Sequence, residues 1–340
     1  MSLVVTHKQL EENVRRILPR GLKQFDLNKL SLHENIIYVI GKRGTGKSTL
    51  IKSIVHHHRH NLDLVIALSR SEKANKFYRN MMIPKKYIKS TFDEDFLDGI
   101  FQIIKRNNSG TPMRTLIIFD DFAFLKEKFW KSRFVIDMMF MGRHFNIGVI
   151  FAVQYVMHIP LDARSNYTFA FALQDNGCDT QERLHSCFFS FIRAQDDFVK
   201  ILLYFTYNRG VLVSDGMSND IDITKCVSWM HPYEIKFPFL VGCRTYRSLY
   251  TQSQLLLYYA WRDHQTTGKV TSHTQTQPTQ GHACATRSKS SAAQETSQPR
   301  RENYTEPHEQ QEQHDDDDST CQRTASQPQT RNVDSSQLRE

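Results

Sequence analysis

The chain has 340 residues, a net charge of +8 at pH 7 and 39% apolar residues, which is enough to build a folded domain. The apolar signal stops near Trp261, and the following residues are rich in Gln, Ser and Thr with a run of Asp. Such a segment cannot bury enough apolar area to offset the entropy of ordering. We therefore predict a disordered polar and acidic tail over 262–340. No apolar run has the length of a membrane span.

The charge divides unevenly between these two parts. Residues 262–340 hold nine Lys/Arg and twelve Asp/Glu, a net charge of −3. Because the whole chain has a net charge of +8, residues 1–261 have a net charge of +11. A folded part this basic favours a polyanionic partner, although a generally basic surface would give the same number. The six cysteines form no C-x-x-C pair, and the N-terminus lacks the pattern of a signal peptide. We therefore expect a reducing intracellular compartment rather than secretion.

Hydrophobic periodicity predicts alternating strands and helices. Residues 1–30 form an N-terminal helical segment, and residues 31–261 form one α/β domain. The predicted strands are Ile36–Ile40, Leu64–Leu68, Leu116–Asp121, Ile147–Gln154, Tyr167–Leu173, Val211–Val213 and Glu234–Phe237. The predicted helices are Lys8–Leu18, Thr49–His58, Asp95–Lys105, Lys126–Met141 and Phe188–Phe205, the last with a possible break near Asp196-Asp197. This alternation implies a mostly parallel sheet with helices on both faces.

A glycine-rich segment between the first strand and its helix matches the P-loop pattern, with two glycines, a lysine and a hydroxyl residue at fixed spacing. The residues that we predict to bind ATP are Gly41, Gly44, Thr45, Gly46, Lys47, Ser48 and Thr49. A glycine loop that opens a helix directs backbone N–H groups at the phosphates of a nucleotide. Lys47 would reach the outer phosphates as a catalytic residue, and the Ser48 hydroxyl would bind Mg²⁺. The alternative is an accidental glycine turn.

The strand Leu116–Asp121 ends in two carboxylates, which is typical of a Walker B segment. Asp120 would bind Mg²⁺, and Asp121 would polarise the attacking water as a general base. Many ATPases of this class have Glu at the second position, and Asp is shorter by one methylene. Either the water sits closer in this protein or Asp121 is only a metal ligand. A buried strand that ends in an Asp-Asp turn is the structural alternative.

The strand Ile147–Gln154 is apolar until its last residue. In P-loop ATPases of the additional-strand type, such a strand lies between the P-loop strand and the Walker B strand. Its terminal polar residue contacts the γ-phosphate and the attacking water, and Gln154 fits this catalytic sensor role. The alternative is a glutamine that ends a strand and faces solvent.

Three elements in this order make the chain resemble the poxvirus-type DNA-packaging ATPases of large eukaryotic DNA viruses, in the FtsK–HerA superfamily. They are the P-loop, the strand ending in Asp120-Asp121, and a basic pair, Arg143-His144, before the strand ending in Gln154. The resemblance covers roughly residues 30–215. It implies an additional-strand P-loop NTPase fold, ATP and Mg²⁺ as cofactors, and a homo-oligomeric ring, often a hexamer, that threads double-stranded DNA. Capsid or portal proteins would be further partners, in host cytoplasm, nucleus or virion.

The resemblance also implies an arginine finger supplied by a neighbouring subunit. Arg143 is the first candidate because its position matches the family's basic pair. Arg209, which precedes Gly210, is the second candidate. The alternative for Arg143 is an arginine at a helix end that contacts carbonyl groups and solvent.

Three functions fit these residues. The first is a Mg²⁺-dependent ATPase that translocates DNA and packages a viral genome. The second is a P-loop kinase or small-molecule NTPase, which would need a lid with clustered arginines that the sequence does not display. The third is a nucleotide-regulated virion assembly protein without DNA pumping, similar to filamentous-phage morphogenesis proteins, in which Asp121 would not act as a base.

Overall fold

A computed structural model describes residues 6–107, 112–122, 125, 127–256, 258, 259 and 262. The predicted tail over 262–340 therefore lies, apart from Arg262, outside the described residues, and its disorder stays a prediction.

The described chain alternates strands and helices. The strands are β1 (Lys23–Gln24), β2 (Ile36–Ile40), β3 (Leu64–Ser69), β4 (Ile88–Lys89), β5 (Thr115–Asp120), β6 (Ile147–Val153), β7 (Phe169–Ala172), β8 (Val211–Asp215) and β9 (Val227–Met230). The helices are α1 (His7–Ile17), α2 (Lys47–His57), α3 (Glu72–Asn75), α4 (Phe77–Asn80), α5 (Glu94–Asn107), α6 (Glu127–Trp130), α7 (Arg133–Met141), α8 (Leu161–Ser165), α9 (Cys178–Phe188), α10 (Gln195–Phe205), α11 (Ile223–Cys226) and α12 (Arg244–Arg247). None of these helices has both the length and the apolar character needed to cross a bilayer.

The strands form one sheet in the order β1-β9-β8-β7-β2-β6-β5-β3-β4. All neighbouring pairs are parallel except those of β8, which runs antiparallel to both β7 and β9. The carboxyl ends of β2, β3, β5, β6 and β7 therefore meet at one edge, and the start of β8 lies at the same edge. Because β6 lies between β2 and β5, the predicted additional-strand fold is confirmed.

The central strands are covered on both faces. Every residue of β3, β5 and β6 is buried, and successive side chains in a strand point to opposite faces. Directly opposed aromatic rings join the three strands that carry the predicted site. Tyr38 on β2 stacks on Phe151 of β6, which stacks on Phe119 of β5, each with ring centroids 5.4 Å apart. This stack fixes the strands beneath the site relative to one another.

A glycine in the middle of β6 allows another segment to approach the sheet closely. A methyl group at Gly148 would collide with the backbone carbonyl of Leu32. The N–H of Val149 also donates to the Asn35 carbonyl at 2.9 Å, which holds the segment before β2 against this strand. Gly148 is therefore a packing requirement of the central sheet.

The N-terminal segment packs on the same sheet. Thr6 and Gln9 form a capping box at the start of α1, and α1 packs against α10, where the His7 ring stacks on Tyr204 at 5.4 Å. The strand β1 adds to the edge by pairing with β9. The predicted helix near residues 8–18 is confirmed, whereas the domain boundary at residue 30 stays a prediction.

Three predicted elements differ from the structure. The helix predicted over 188–205, with a possible break near Asp196-Asp197, begins only at Gln195: α9 ends at Phe188, and the acidic pair lies in the first turn of α10, where carboxylates favour a helix start. The helix predicted over 126–141 is likewise divided, since Ser132 caps a new helix by accepting from the Val135 N–H. The strand predicted at 234–237 is wrong: the sheet instead takes Val227–Met230, and Lys52 binds the Ile235 carbonyl at 2.6 Å.

Candidate nucleotide-binding and catalytic site

The P-loop leaves β2 and turns sharply into α2. Gly44 and Gly46 have φ values of 83° and 107°, which a residue with a Cβ rarely adopts. Gly46 precedes α2 without a side-chain cap, so no described side chain occupies the first N–H groups of the helix. These N–H groups carry the positive end of the helix dipole and suit phosphate oxygens.

Lys47 is held over this loop. It is only 8% exposed, and its ammonium group donates to the carbonyls of Gly41 at 2.7 Å and Lys42 at 3.1 Å. Burial lowers the pKa of Lys47, and the neighbouring carboxylates Asp121 and Asp120 raise it. The geometry therefore places a positive charge between the loop and the two carboxylates.

A second lysine of the loop anchors it to the end of β7. The ammonium group of Lys42 lies 2.8 Å from Oδ1 of Asp175, whose side chain is 1% exposed. The N–H of Gly177 donates to the same oxygen at 2.8 Å, while Oδ2 has no hydrogen-bond partner in the described part of the chain. Sequence analysis missed this anchor, because nothing local in the sequence connects positions 42 and 175.

Asp120 ends β5 and is 6% exposed. It lies opposite Ser69 of β3, whose hydroxyl donates to Oδ2 at 3.1 Å. Burial, followed by the charge of Asp121, raises the pKa of Asp120 to about 6, although Ser69, Tyr78 and Lys47 lower it. Burial therefore disfavours the charged form of Asp120 by more than the favourable contacts with its described neighbours stabilise it.

Tyr78 of α4 lies close to Asp120. Burial raises the pKa of its hydroxyl well above the usual range, and the charge of Asp120 raises it further. The hydroxyl is close enough to Asp120 to affect it, yet it makes no hydrogen bond of acceptable geometry among the described residues. The Tyr78 N–H donates to the Glu72 carboxylate at 2.8 Å, which holds α4 in this place.

Asp121 and Gln154 meet across the ends of β5 and β6. Asp121 has a left-handed backbone, with φ of 61°, and its N–H donates to the Ala152 carbonyl at 3.2 Å. This turn directs the carboxylate toward β6, where the Gln154 amide donates to Oδ1 at 2.9 Å. A non-glycine residue in this conformation is strained, and such strain concentrates at functional sites.

These groups line one cleft of about 840 Å³ at the carboxyl edge of the sheet. The P-loop side contributes Gly44, Gly46, Lys47, Ser48 and Thr49. The strand-end side contributes Asp120, Asp121 and Gln154. Gly41 and Thr45 do not line the wall; the Thr45 hydroxyl donates to the Lys42 carbonyl at 2.8 Å within the loop.

Several cleft residues were not predicted for it. Arg43 and Arg70 add positive charge, and His158 follows the sensor strand. Arg209, which the sequence offered only as a second finger candidate, also lines this wall. Polar residues after strand ends were the available signal for Arg70 and Ser71, which follow β3 and line the cleft.

Arg143 lies elsewhere. It belongs to the short 3₁₀ turn Gly142–Phe145 that precedes β6, and its side chain is exposed. Gln154 follows the other end of β6, a strand of seven residues, so the two are roughly 20 Å apart at about 3.3 Å per residue. Arg143 cannot reach the phosphates at its own P-loop, and its role toward a neighbouring subunit stays a prediction.

The donor set suits a magnesium ion held together with a nucleotide. Ser48 and Asp120 line the same cleft and offer one hydroxyl and one carboxylate. The raised pKa of Asp120 is what a buried carboxylate shows when it lacks a strong cationic partner. No cluster of three or more metal-ligating side chains occurs within the described ranges. Mg²⁺ in nucleotide sites is commonly held by one or two protein groups, phosphates and waters, so these residues fit it.

A comparison with protein families agrees with this geometry. The Poxvirus A32 protein family matches residues 22–209, more than half of the chain. The chain belongs to the Poxvirus A32 family.

Relatives of this A32-family chain occur in other large DNA viruses. A protein of Acanthamoeba polyphaga mimivirus is 25% identical over 239 residues, which span 67% of this chain and 82% of the relative. A protein of Invertebrate iridescent virus 3 is 28% identical over 247 residues, which span 70% of this chain and 94% of the relative. A protein of Frog virus 3 is 31% identical over 158 residues, spanning 46% and 49%.

Solved structures with a related arrangement of elements include the genome packaging NTPase B204 from Sulfolobus turreted icosahedral virus 2 in complex with ATP-gammaS. It is 17% identical, with a TM-score of 0.44 over 59% of this chain and 98% of that one. The pCW3 conjugation coupling protein TcpA with ATPgS is 11% identical, with a TM-score of 0.41 over 60% of this chain and 62% of that one.

Proposed function

We propose that this A32-family chain is a Mg²⁺-dependent ATPase that translocates double-stranded DNA and packages a viral genome into capsids. The observation that carries the hydrolytic part is the 2.9 Å hydrogen bond between Gln154 and Asp121, at the mouth of a cleft that also holds Lys47. A carboxylate and an amide at the ends of adjacent strands are the groups that hold and deprotonate a water beside a γ-phosphate.

Each residue has a separate task in this proposal. The first N–H groups of α2 and the Lys47 ammonium bind the phosphate oxygens, and the buried position of Lys47 strengthens that attraction. Asp121 accepts the proton of the attacking water, and Gln154 orients both. Ser48 and Asp120 would hold Mg²⁺, which supplies neutralisation of the phosphate charge.

Support for DNA as the substrate comes from charge and from the motif resemblance. Residues 1–261 carry a net charge of +11, which suits a polyphosphate backbone. The family match covers the P-loop, the Walker B pair and the sensor strand, the three elements on which the resemblance to DNA-packaging ATPases rests.

A ring would give Arg143 a role. The helix before it exposes three large apolar side chains, Ile136, Phe140 and Met141, at 42%, 56% and 37%. A subunit contact at this surface would bury them and place Arg143 toward a neighbouring cleft, where a guanidinium can neutralise the charge developing on the phosphoryl group.

The test is the ATPase rate with and without long double-stranded DNA, for wild type and Lys47→Ala. Lys8→Ala, an exposed lysine of α1, is the charge-matched control. We expect DNA to stimulate wild type and the control, and Lys47→Ala to be inactive. DNA affinity should also fall steeply with salt, because phosphate contacts release counterions.

The outcomes separate the alternatives. ATP turnover that DNA does not stimulate would rule out the pump and leave the nucleotide-regulated assembly protein. Normal turnover of Lys47→Ala would remove the P-loop from the mechanism altogether.

A further inference from the structure

Arg209 reaches the nucleotide cleft because β8 runs against its neighbours. Arg209 closes the short turn Tyr207–Arg209, one residue before β8 begins. In a parallel strand that position would lie at the edge opposite the P-loop, as it does for Arg143. The reversed direction of β8 instead places Arg209 at the carboxyl edge, where it lines the same cleft as Lys47 and Ser48.

The backbone that presents Arg209 is strained. Asn208 and Arg209 have φ values of 51° and 64°, two successive non-glycine residues in the left-handed region. Asn tolerates this conformation, but Arg has no side-chain hydrogen bond that favours it. The next residue is fixed as well, because a methyl group at Gly210 would collide with the Phe205 carbonyl. Strain of this kind persists where it serves a site.

The Arg209 guanidinium is available for a ligand. It is exposed, and it makes no hydrogen bond or ion pair with any other described residue. Two lysines of the P-loop are already engaged: Lys47 binds the loop carbonyls, and Lys42 pairs with Asp175. A planar guanidinium with five N–H donors matches the geometry of phosphate oxygens better than an ammonium group does.

We infer that Arg209 binds the triphosphate in the cleft of its own chain, from the side of β8, rather than acting as a finger on a neighbouring subunit. This inference rests on the proposed function only in that the cleft binds a nucleotide. Arg209 and Lys47 then hold the phosphates from two elements, the start of β8 and the start of α2.

The test measures affinity for the slowly hydrolysed analogue ATPγS with inorganic tripolyphosphate as a competitor. Arg209→Ala should bind ATPγS about 10- to 100-fold more weakly, the effect of losing a charge-assisted hydrogen bond. The competition constant of tripolyphosphate should weaken by a similar factor. The ATPγS affinity of Arg209→Lys should lie between those of wild type and Arg209→Ala. Arg193 is an exposed arginine outside the cleft wall, so Arg193→Ala should bind ATPγS as tightly as wild type.

A fold control follows from the strain. Arg209→Gly removes the guanidinium but suits the left-handed backbone, so its melting temperature should not fall below that of wild type while its affinity falls as in Arg209→Ala. A loss of binding with an unchanged melting temperature assigns the effect to the guanidinium. If Arg209→Gly restores full affinity, the side chain is not a ligand and the inference is wrong.

Other outcomes also decide the matter. Weaker ATPγS binding with unchanged tripolyphosphate competition would place Arg209 at the base or ribose and overturn the phosphate assignment. Mixing Arg209→Ala with Lys47→Ala subunits should not restore hydrolysis, whereas recovered hydrolysis would show that Arg209 acts on the cleft of a neighbouring subunit and overturn the inference.

The binding data also separate this inference from the proposed function. Failure of wild type to bind any nucleotide refutes the proposed function. If Arg209→Ala keeps wild-type nucleotide affinity while Lys47→Ala loses it, only this inference is refuted.

Discussion

Replacing Asp120 by Asn should stabilise the metal-free protein at neutral pH, although it removes a residue that we assign to Mg²⁺ binding. Asp120 is 6% exposed, and its described neighbours do not offset its burial and its repulsion from Asp121. Asn keeps the shape and can still accept from the Ser69 hydroxyl, but it carries no charge to desolvate. The charged carboxylate of Asp120 therefore lowers the free energy of unfolding, and Asp120→Asn should raise it.

The size and sign of the effect follow from the pKa. The pKa rises from the usual 3.8 to about 6, a shift of about two units, and each unit corresponds to about 1.4 kcal/mol. Between these values the folded state binds more protons than the unfolded state, so stability falls as pH rises through this window. The cost is absent below about pH 3, about half present at pH 5 and fully present, at about 3 kcal/mol, by pH 8.

The assay is urea unfolding in EDTA at pH 5 and pH 8, for wild type, Asp120→Asn and the control Glu12→Gln, an exposed carboxylate on α1. We expect Asp120→Asn to gain more stability at pH 8 than at pH 5 and the control to change little. ATPγS with Mg²⁺ should then stabilise wild type more than Asp120→Asn. A gain that does not depend on pH, or a loss at pH 8, would refute the electrostatic account.

Three further predictions concern other parts of the molecule. Gln154→Ala should keep ATP affinity and lower turnover by about 100-fold, because the water beside Asp121 loses its orienting amide; an unchanged rate in a steady-state assay would contradict this. Gly148→Ala should cost about 3 kcal/mol or more in urea unfolding, because of the collision described above, whereas Gly99→Ala, with open space on α5, should stabilise by about 0.5–1 kcal/mol. Arg143→Ala should leave ATP binding intact and reduce DNA-stimulated turnover by roughly 10³-fold, and normal turnover would remove it from the mechanism.

The features predicted well from sequence are those that nearby residues determine. The bounds Ile36–Ile40 were predicted without error, since a fully buried parallel strand reads as a continuous apolar run between polar residues. The placement of Asp120, Asp121 and Gln154 in one cleft followed from a single rule, that the carboxyl ends of parallel strands meet at one edge.

Features that depend on distant contacts could not be predicted. The Lys42–Asp175 pair joins positions 133 residues apart, and the Tyr78 hydroxyl reaches Asp120 from a four-residue helix with no motif of its own. The start of α10 was misplaced for a different reason. The acidic pair Asp196-Asp197 was interpreted as a possible break within one helix, whereas it lies in the first turn of α10.

Strand direction explains why two similar arginines lie at opposite edges of the sheet. Arg143 and Arg209 each lie in a short 3₁₀ turn that precedes a buried apolar strand, so their local secondary structure does not distinguish them. Apolar periodicity identifies a strand but not its direction. The direction of β8 depends on how the connection after α10 brings the chain back beside β7. Because β6 runs parallel to β2 and β8 runs antiparallel to β7, only Arg209 reaches the cleft of its own chain. If both arginines contribute to hydrolysis, Arg143 must therefore act on the cleft of a second subunit. Both substitutions to Ala should then lower turnover, but only Arg209→Ala should weaken nucleotide binding.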